Sequence, residues 1–231
     1  MNKQFIAAVI AGSAMAVSAF ADTESFSYSV PTTTTTWTQV INVDQFNTSL
    51  GTLTSVSYTI SGTLTGTAQA SNNSTTSEDN VELNLKATLK LTRPDNTTLV
   101  QSVPLTTTSV TLAVWDGNGA TPHYTPPSGI TLEGLSVSYT QTSSTTAPLD
   151  LALFSGTGTI PLNMKATGNS FGAGDSGNDT FNFTTLANAQ VDIVYTYSVS
   201  SPVPEAGTWA AIGFAGLAGG VTYFRRRQAK A

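Results

Sequence analysis

The sequence predicts an all-β fold: an antiparallel β-sandwich with jelly-roll or immunoglobulin-like connections. Three observations support this prediction. Apolar and polar residues alternate in several runs, which is the pattern of strands with one buried face. Gly, Pro, Asn and Asp residues that form turns separate these runs. Between the two ends of the chain, no segment shows a convincing apolar repeat of 3.6 residues, so we expect two packed sheets and no helix.

The composition excludes several classes of function. The 231 residues contain no Cys and one His, which excludes disulfide scaffolds, thiolate metal sites, thiol nucleophiles and sites with several histidines. Charged residues make up 10% of the chain and the net charge is −5, which argues against nucleic acid as a partner. With 40 Thr and 25 Ser, about 28% of the chain carries a hydroxyl, and Thr favours strands.

Residues 1–21 have the three parts of a secretory signal peptide. Lys3 gives a positive start, residues 5–17 are almost entirely apolar, and the small residues Ala19 and Ala21 mark a cleavage site. We therefore expect export by the Sec machinery and cleavage by signal peptidase after Ala21.

Residues 22–201 form the predicted extracytoplasmic domain. The clearest strand is 81–91, in which apolar residues occupy one parity and polar or charged residues the other over eleven positions. Further predicted strands are residues 37–43, 56–60, 110–115, 135–139, 151–160 and 191–199. Turn signals occur at residues 93–96, 116–119, 126–129 and 172–179.

Residues 202–231 form a tail that predicts a membrane-spanning segment. The stretch 207–224 is uncharged and would extend about 27 Å as a helix, close to the roughly 30 Å of a hydrocarbon core. The basic end follows at once, and the positive-inside rule keeps it cytoplasmic. It consists of Arg225, Arg226 and Arg227.

The order of these features resembles the PEP-CTERM sorting signal of Gram-negative bacteria. The motif at 203–206 begins with Val203, Pro204 and Glu205, with Ala206 where the usual motif has a second Pro. The resemblance implies that Pro204 and Glu205 are recognised by exosortase at the outer face of the inner membrane. It also implies an inner-membrane intermediate, a final place at the cell surface or in the extracellular matrix, and an association with exopolysaccharide or biofilm.

A second resemblance covers most of the domain. The segments 46–56, 154–160 and 194–197 are similar to the choice-of-anchor E domain, a secreted β-rich domain that is paired with one of several C-terminal anchoring signals. This resemblance implies architecture and location, and it implies no biochemical activity.

The candidate ligand-binding residues lie in two loops. Trp115, His123 and Tyr124 offer aromatic rings and an imidazole to a sugar, although large aromatic side chains also pack into cores. Asp175 and Asp179 offer carboxylates to a Ca²⁺ ion, although acids in such loops also cap turns. No cofactor other than this possible Ca²⁺ is expected.

The sequence therefore predicts a non-enzymatic envelope or matrix protein. The alternative is a carbohydrate-binding module or adhesin that uses the loop aromatics. A remote alternative is a glycoside hydrolase that uses a pair of acids such as Asp175 and Asp179. Residues 22–201 contain 13 acids and four basic residues, a net charge of 4 − 13 = −9, and we expect this charge to disfavour anionic polymers unless a cation bridges them.

Overall fold

The computed structural model describes residues 20–199, with Phe20 described by its backbone alone, and Ala21–Ser198 form one compact unit. The first sheet contains β1 (Phe20–Thr34), β3 (Thr52–Asn72), β7 (Gly129–Thr145) and β10 (Asp179–Val199). The second sheet contains β2 (Trp37–Asp44), β4 (Asp79–Thr92), β5 (Thr98–Ser102), β6 (Leu105–Leu112), β8 (Thr159–Gly168) and β9 (Phe171–Gly174). One short helix, α1 (Pro148–Leu153), precedes β8. The predicted all-β antiparallel sandwich is confirmed.

β4 organises the second sheet because other strands pair with both of its edges. β5 and β6 lie along one edge and are separated at Pro104, which has no N–H to donate to a ladder. β8 and β9 lie along the other edge and are separated by Asn169 and Ser170. There the Ser170 hydroxyl accepts the Lys86 N–H at 3.0 Å, so a side chain takes the place of a backbone acceptor. β5 and β6 together therefore form one interrupted strand, and β8 and β9 form another.

Counted in this way, each sheet has four strand positions. The first sheet has the order β1-β10-β3-β7, and the second has β2, then β8 with β9, then β4, then β5 with β6. This order is that of a jelly roll, in which the chain repeatedly crosses from one sheet to the other.

The inward residues of β4 show why this segment is a strand. From Val81 to Leu91 every second side chain is buried, and each of these has at most 1% of its surface exposed. Val81 and Leu83 pack with Ala68, Ala70 and Leu112 in a separate cluster. Leu85, Ala87, Leu89 and Leu91 share the main core with an aromatic cluster from the first sheet and the connecting segments. Its members are Phe46, Tyr58, Phe154 and Tyr195, with neighbouring ring centroids 5.4 to 6.4 Å apart. Trp37 also lies in this core, with 8% of its surface exposed.

Two of the expected strands are wrong in part. Residues 151–160 begin in α1 instead of a strand, because Pro148 fits the first turn of a helix and Asp150 is favourable there. β8 begins only at Thr159. Residues 110–115 leave their strand after Leu112, since the Trp115 N–H is bonded to the Ser74 carbonyl of another loop. The expectation of no helix is therefore wrong for six residues.

The terminal segments are described only at their inner limits. Ala21, the last residue of the predicted signal peptide, lies in β1, whereas Ala19 and the predicted tail from residue 202 lie outside the described residues. Within residues 20–199 no helix has the length and apolar character needed to cross a membrane. The predicted span at 207–224 stays a prediction.

Replacing Leu89 by Ala is expected to lower the free energy of unfolding by about 2–5 kcal/mol, because the side chain is fully buried and the change leaves a cavity. The matched control is Leu105→Ala on β6, where 46% of the side chain is exposed, and we expect a loss below about 1 kcal/mol. Urea unfolding of both variants measures the difference. Equal losses would contradict the placement of β4.

Candidate functional site

Three loops meet at one end of the sandwich, which we call the loop end: residues 73–78, 113–128 and 175–178. The Trp115 N–H donates to the Ser74 carbonyl at 2.8 Å, and the Asn73 N–H donates to the Asn178 carbonyl at 3.0 Å. The Asn72 side-chain amide, at the end of β3, donates to the carbonyls of Ser77 and Ala113 at 2.9 and 3.0 Å. The loop end therefore brings together both groups of candidate residues that the sequence indicates.

The described domain begins and ends at the opposite end of the sandwich. β1 and β10 are neighbours in the first sheet, and the Tyr197 hydroxyl near the end of β10 donates to the Asp22 carboxylate near the start of β1 at 3.3 Å. β10 starts with Asp179 at the loop end and runs the length of the sheet. The two chain ends of the domain thus leave from the end that lies away from the loops.

The predicted aromatic residues lie in the 113–128 loop, and each is half-buried. The Trp115 indole N–H donates to the Asn118 carbonyl at 3.1 Å, within the same loop. The His123 N–H donates to the Ser71 hydroxyl at 2.9 Å, and the His123 Nε2 is hydrogen-bonded to the Thr125 hydroxyl. These bonds stabilise the conformation of the loop and do not test ligand binding. A role of Trp115, His123 and Tyr124 in ligand binding stays a prediction.

The carboxyl groups at the loop end form a pair that the sequence analysis did not identify. Asp79, at the start of β4, has 1% of its surface exposed, and its Oδ1 accepts the N–H groups of Asp175 and Ser176 at 2.7 and 2.9 Å. A Cβ added at Gly174 would lie 2.5 Å from the Asp79 Oδ2 and 2.2 Å from the Asp179 Oδ2. Both Oδ2 atoms therefore lie close to Gly174, and a side chain at this position would displace them.

The two carboxyls shift each other's pKa in opposite directions. Burial raises the pKa of Asp179 to about 7, and the hydrogen bond to Asp79 and the charge of that neighbour act in the same direction. Burial would also raise the pKa of Asp79, but hydrogen bonds from Asp179, Ser176 and Asp175 outweigh it and lower that pKa. The buried Asp79 Oδ2 has no hydrogen-bond donor among the described residues, and a proton held on the Asp179 carboxyl would supply one.

Asp175 and Asp179 were predicted as a pair, but in the structure each has a different neighbour. The Asp175 carboxylate is exposed and accepts the Asn80 amide at 3.4 Å, while Asp179 is paired with Asp79. Among residues 20–199 no three His, Asp or Glu side chains converge as a group that could hold a metal ion. Ca²⁺ at Asp175 and Asp179 stays a prediction, as does the absence of other cofactors.

The basic residues of the domain are concentrated on one surface. Lys86 and Lys90 of β4 and Lys165 of β8 all project from the outer face of the second sheet. Arg93, the fourth basic residue, forms an ion pair with Asp150 at 2.6 Å. In the described part of the chain no acid lies within 4 Å of the three lysine amines, so these three positive charges have no ionic partner there.

Lys90 and Lys165 lie directly opposite each other on β4 and β8, beside a groove of about 420 Å³. We call it the lysine groove. The remaining lining side chains carry hydroxyl or amide groups and no charge. They are Thr38, Thr88, Thr92, Asn96, Asn163 and Thr167. The sequence shows that Lys86 and Lys90 share a face of one strand, but it does not show that Lys165 is aligned with Lys90. The net charge of −9 is a value for the whole domain, whereas this face carries three of its four basic residues.

No protein-family model and no curated protein matches this chain. Among solved structures, the VP2 subviral particle of infectious bursal disease virus is 14% identical over 85% of this chain and 42% of the viral chain, with a TM-score of 0.20. The Gt strain of the same virus is 13% identical over 86% of this chain and 49% of the viral chain, with a TM-score of 0.16. The chain thus spans less than half the length of these viral chains, and scores this low carry no argument about fold or function.

The free energy of unfolding is expected to fall as the pH rises from about 4 to about 7. In this range the folded protein keeps the proton of Asp179, whose pKa is raised to about 7, whereas the unfolded chain has lost it above the ordinary value of 3.8. Because the unfolded state then binds fewer protons than the folded state, a rise in pH favours unfolding. Replacing Asp179 by Asn removes this titration and should make the dependence shallower in urea unfolding at pH 4.5, 6 and 8.

The control for this experiment is Glu133→Gln, which neutralises an exposed acid on β7 and should leave the pH dependence as in the wild type. Identical pH dependences for the wild type and Asp179→Asn would contradict the raised pKa of Asp179.

Proposed function

We propose that this chain is an exported, non-enzymatic β-sandwich protein of the bacterial envelope or extracellular matrix. In this proposal the Sec machinery exports the chain and signal peptidase cleaves after Ala21. Exosortase then recognises the tail at Pro204 and Glu205 while residues 207–224 hold the intermediate in the inner membrane. The mature domain acts at the cell surface or in the matrix, in association with exopolysaccharide.

The observation that carries this proposal is the position of the two chain ends. Asp22, just after the proposed cleavage site, contacts Tyr197, a few residues before the tail motif. A domain held through its tail would therefore be attached at the end away from the loops. Both the loop end and the outer face of the second sheet would remain accessible while the tail is processed.

The composition supports the same proposal. The domain contains no cysteine, so its stability after export depends on its packed core and not on disulfide formation. Its polar surface is rich in Ser and Thr, which hydrogen-bond to water or sugars without adding charge. An exopolysaccharide matrix presents the same kinds of hydroxyl groups.

Sorting is tested by measuring the intact mass of the exported chain from a host with exosortase and from the same host without it. We expect the chain from the host with exosortase to have lost the basic end at Arg225, Arg226 and Arg227, and the chain from the other host to keep it. Glu205→Gln should prevent the loss, because the recognised carboxylate is removed.

Glu133→Gln, the same change on the exposed surface of the domain, is the control and should be processed like the wild type. Retention of the three arginines in both hosts would exclude exosortase sorting.

A further inference from the structure

We propose that the lysine groove binds an acidic polysaccharide, with its anionic groups held between Lys90 and Lys165. The site lies on the outer face of the second sheet, away from the loop aromatics, and it goes beyond the sorting proposal. Only the choice of a polysaccharide over other polyanions rests on the proposed export of the chain.

Two lysines lie opposite each other on adjacent strands of the groove. Lys90 and Lys165 are register partners on adjacent strands, and directly opposite residues have Cβ atoms roughly 5 Å apart. Like charges in this position repel each other and destabilise the sheet. No acid in the described region lies within 4 Å of either amine to offset this repulsion. An anion bound between the two amines would offset it.

In the described region, these lysines form no ion pair with any acid of the domain. Arg93, one residue beyond the end of β4, is neutralised by Asp150 and Asp95 at 2.6 and 3.3 Å. Lys90 keeps its charge available, although the domain carries more than three acids for each basic residue. The groove is therefore a local positive surface on an acidic domain, and this surface is complementary to an anionic ligand.

The walls of the groove carry hydroxyl and amide groups. Four threonine hydroxyls and two asparagine amides surround the lysine pair, and each can both donate and accept hydrogen bonds. Such groups suit the hydroxyls of a sugar, whereas the two ammonium groups suit a carboxylate or sulfate on that sugar. The groove lies on the outside of a sheet and not in an enclosed cavity, so it can hold part of a long chain. Together these features favour an anionic, hydroxyl-rich polymer.

The test measures binding of the exported chain to immobilised alginate, which carries carboxylates, and to dextran sulfate, with neutral dextran as the comparison. We expect binding to at least one of the acidic polymers, no binding to dextran, and weaker binding as the NaCl concentration rises. Replacing Lys90 and Lys165 together by Gln should lower the affinity roughly tenfold or more, as expected for the loss of charge-assisted hydrogen bonds.

Lys86→Gln is the matched control, because it removes the same charge from the same face of β4 but lies outside the groove lining. We expect it to change the affinity less than about twofold. The double variant should unfold at the same urea concentration as the wild type or at a higher one, because it removes a repulsion and no buried group. This second measurement separates loss of binding from loss of folding.

Three outcomes would overturn the proposal. One is the absence of binding to both acidic polymers. Another is an equal loss of affinity per removed charge in Lys86→Gln and in the double variant. This result would indicate that the overall charge attracts the polymer and that the polymer does not bind in the groove. The third is tighter binding to double-stranded DNA or to phosphatidylglycerol vesicles than to either polysaccharide. Failure here would leave the mass measurements of sorting unaffected.

Discussion

The structure depends on the strict alternation of side chains along β4. Successive residues of a strand point to opposite faces, so the row of buried Leu, Val and Ala residues that closes the core also fixes every other residue on the outside. The packing that holds the two sheets together therefore places Lys86, Thr88 and Lys90 on one outer surface. A shift of one residue in register would bury these polar groups and expose the leucines, which makes the position of the lysines as firmly determined as the core itself.

The loop end and the outer face of the second sheet differ in their electrostatics. At the loop end, the carboxyls of Asp79 and Asp179 lie close together, and the pKa of Asp179 is raised while that of Asp79 is lowered. This pair joins the start of β4 to the start of β10, and so links the two sheets near the loops that carry Trp115 and His123. These two acids are engaged in structure. The three lysines of the second sheet, in contrast, have no ionic partner in the region that the structure describes, which is why the sheet face carries the stronger indication of a ligand.

The fold class could be predicted because the alternation in residues 81–91 and 191–199 is long and regular. Residues 151–160 were more difficult, since leucines near Pro148 suit a short helix and a strand equally well by periodicity. The candidate acids predicted from the sequence, Asp175 and Asp179, lie close together in the chain. The structure pairs Asp179 with Asp79, which is 100 positions away in the chain, and no local pattern reports such a contact. The lysine groove could not be predicted from the sequence either. The alignment of Lys165 with Lys90 is set by the register of β4 and β8.

The central claim is that the outer face of the second sheet, and not the loop end, is the binding surface. The most direct measurement is the backbone amide NMR spectrum of the exported chain, recorded during titration with alginate oligosaccharides. The account predicts that the shifts concentrate on residues of β4, β8 and the facing part of β2, around Lys90, Lys165 and Thr38. Shifts confined to residues 113–128 around Trp115 and Tyr124, with the sheet face unchanged, would contradict it.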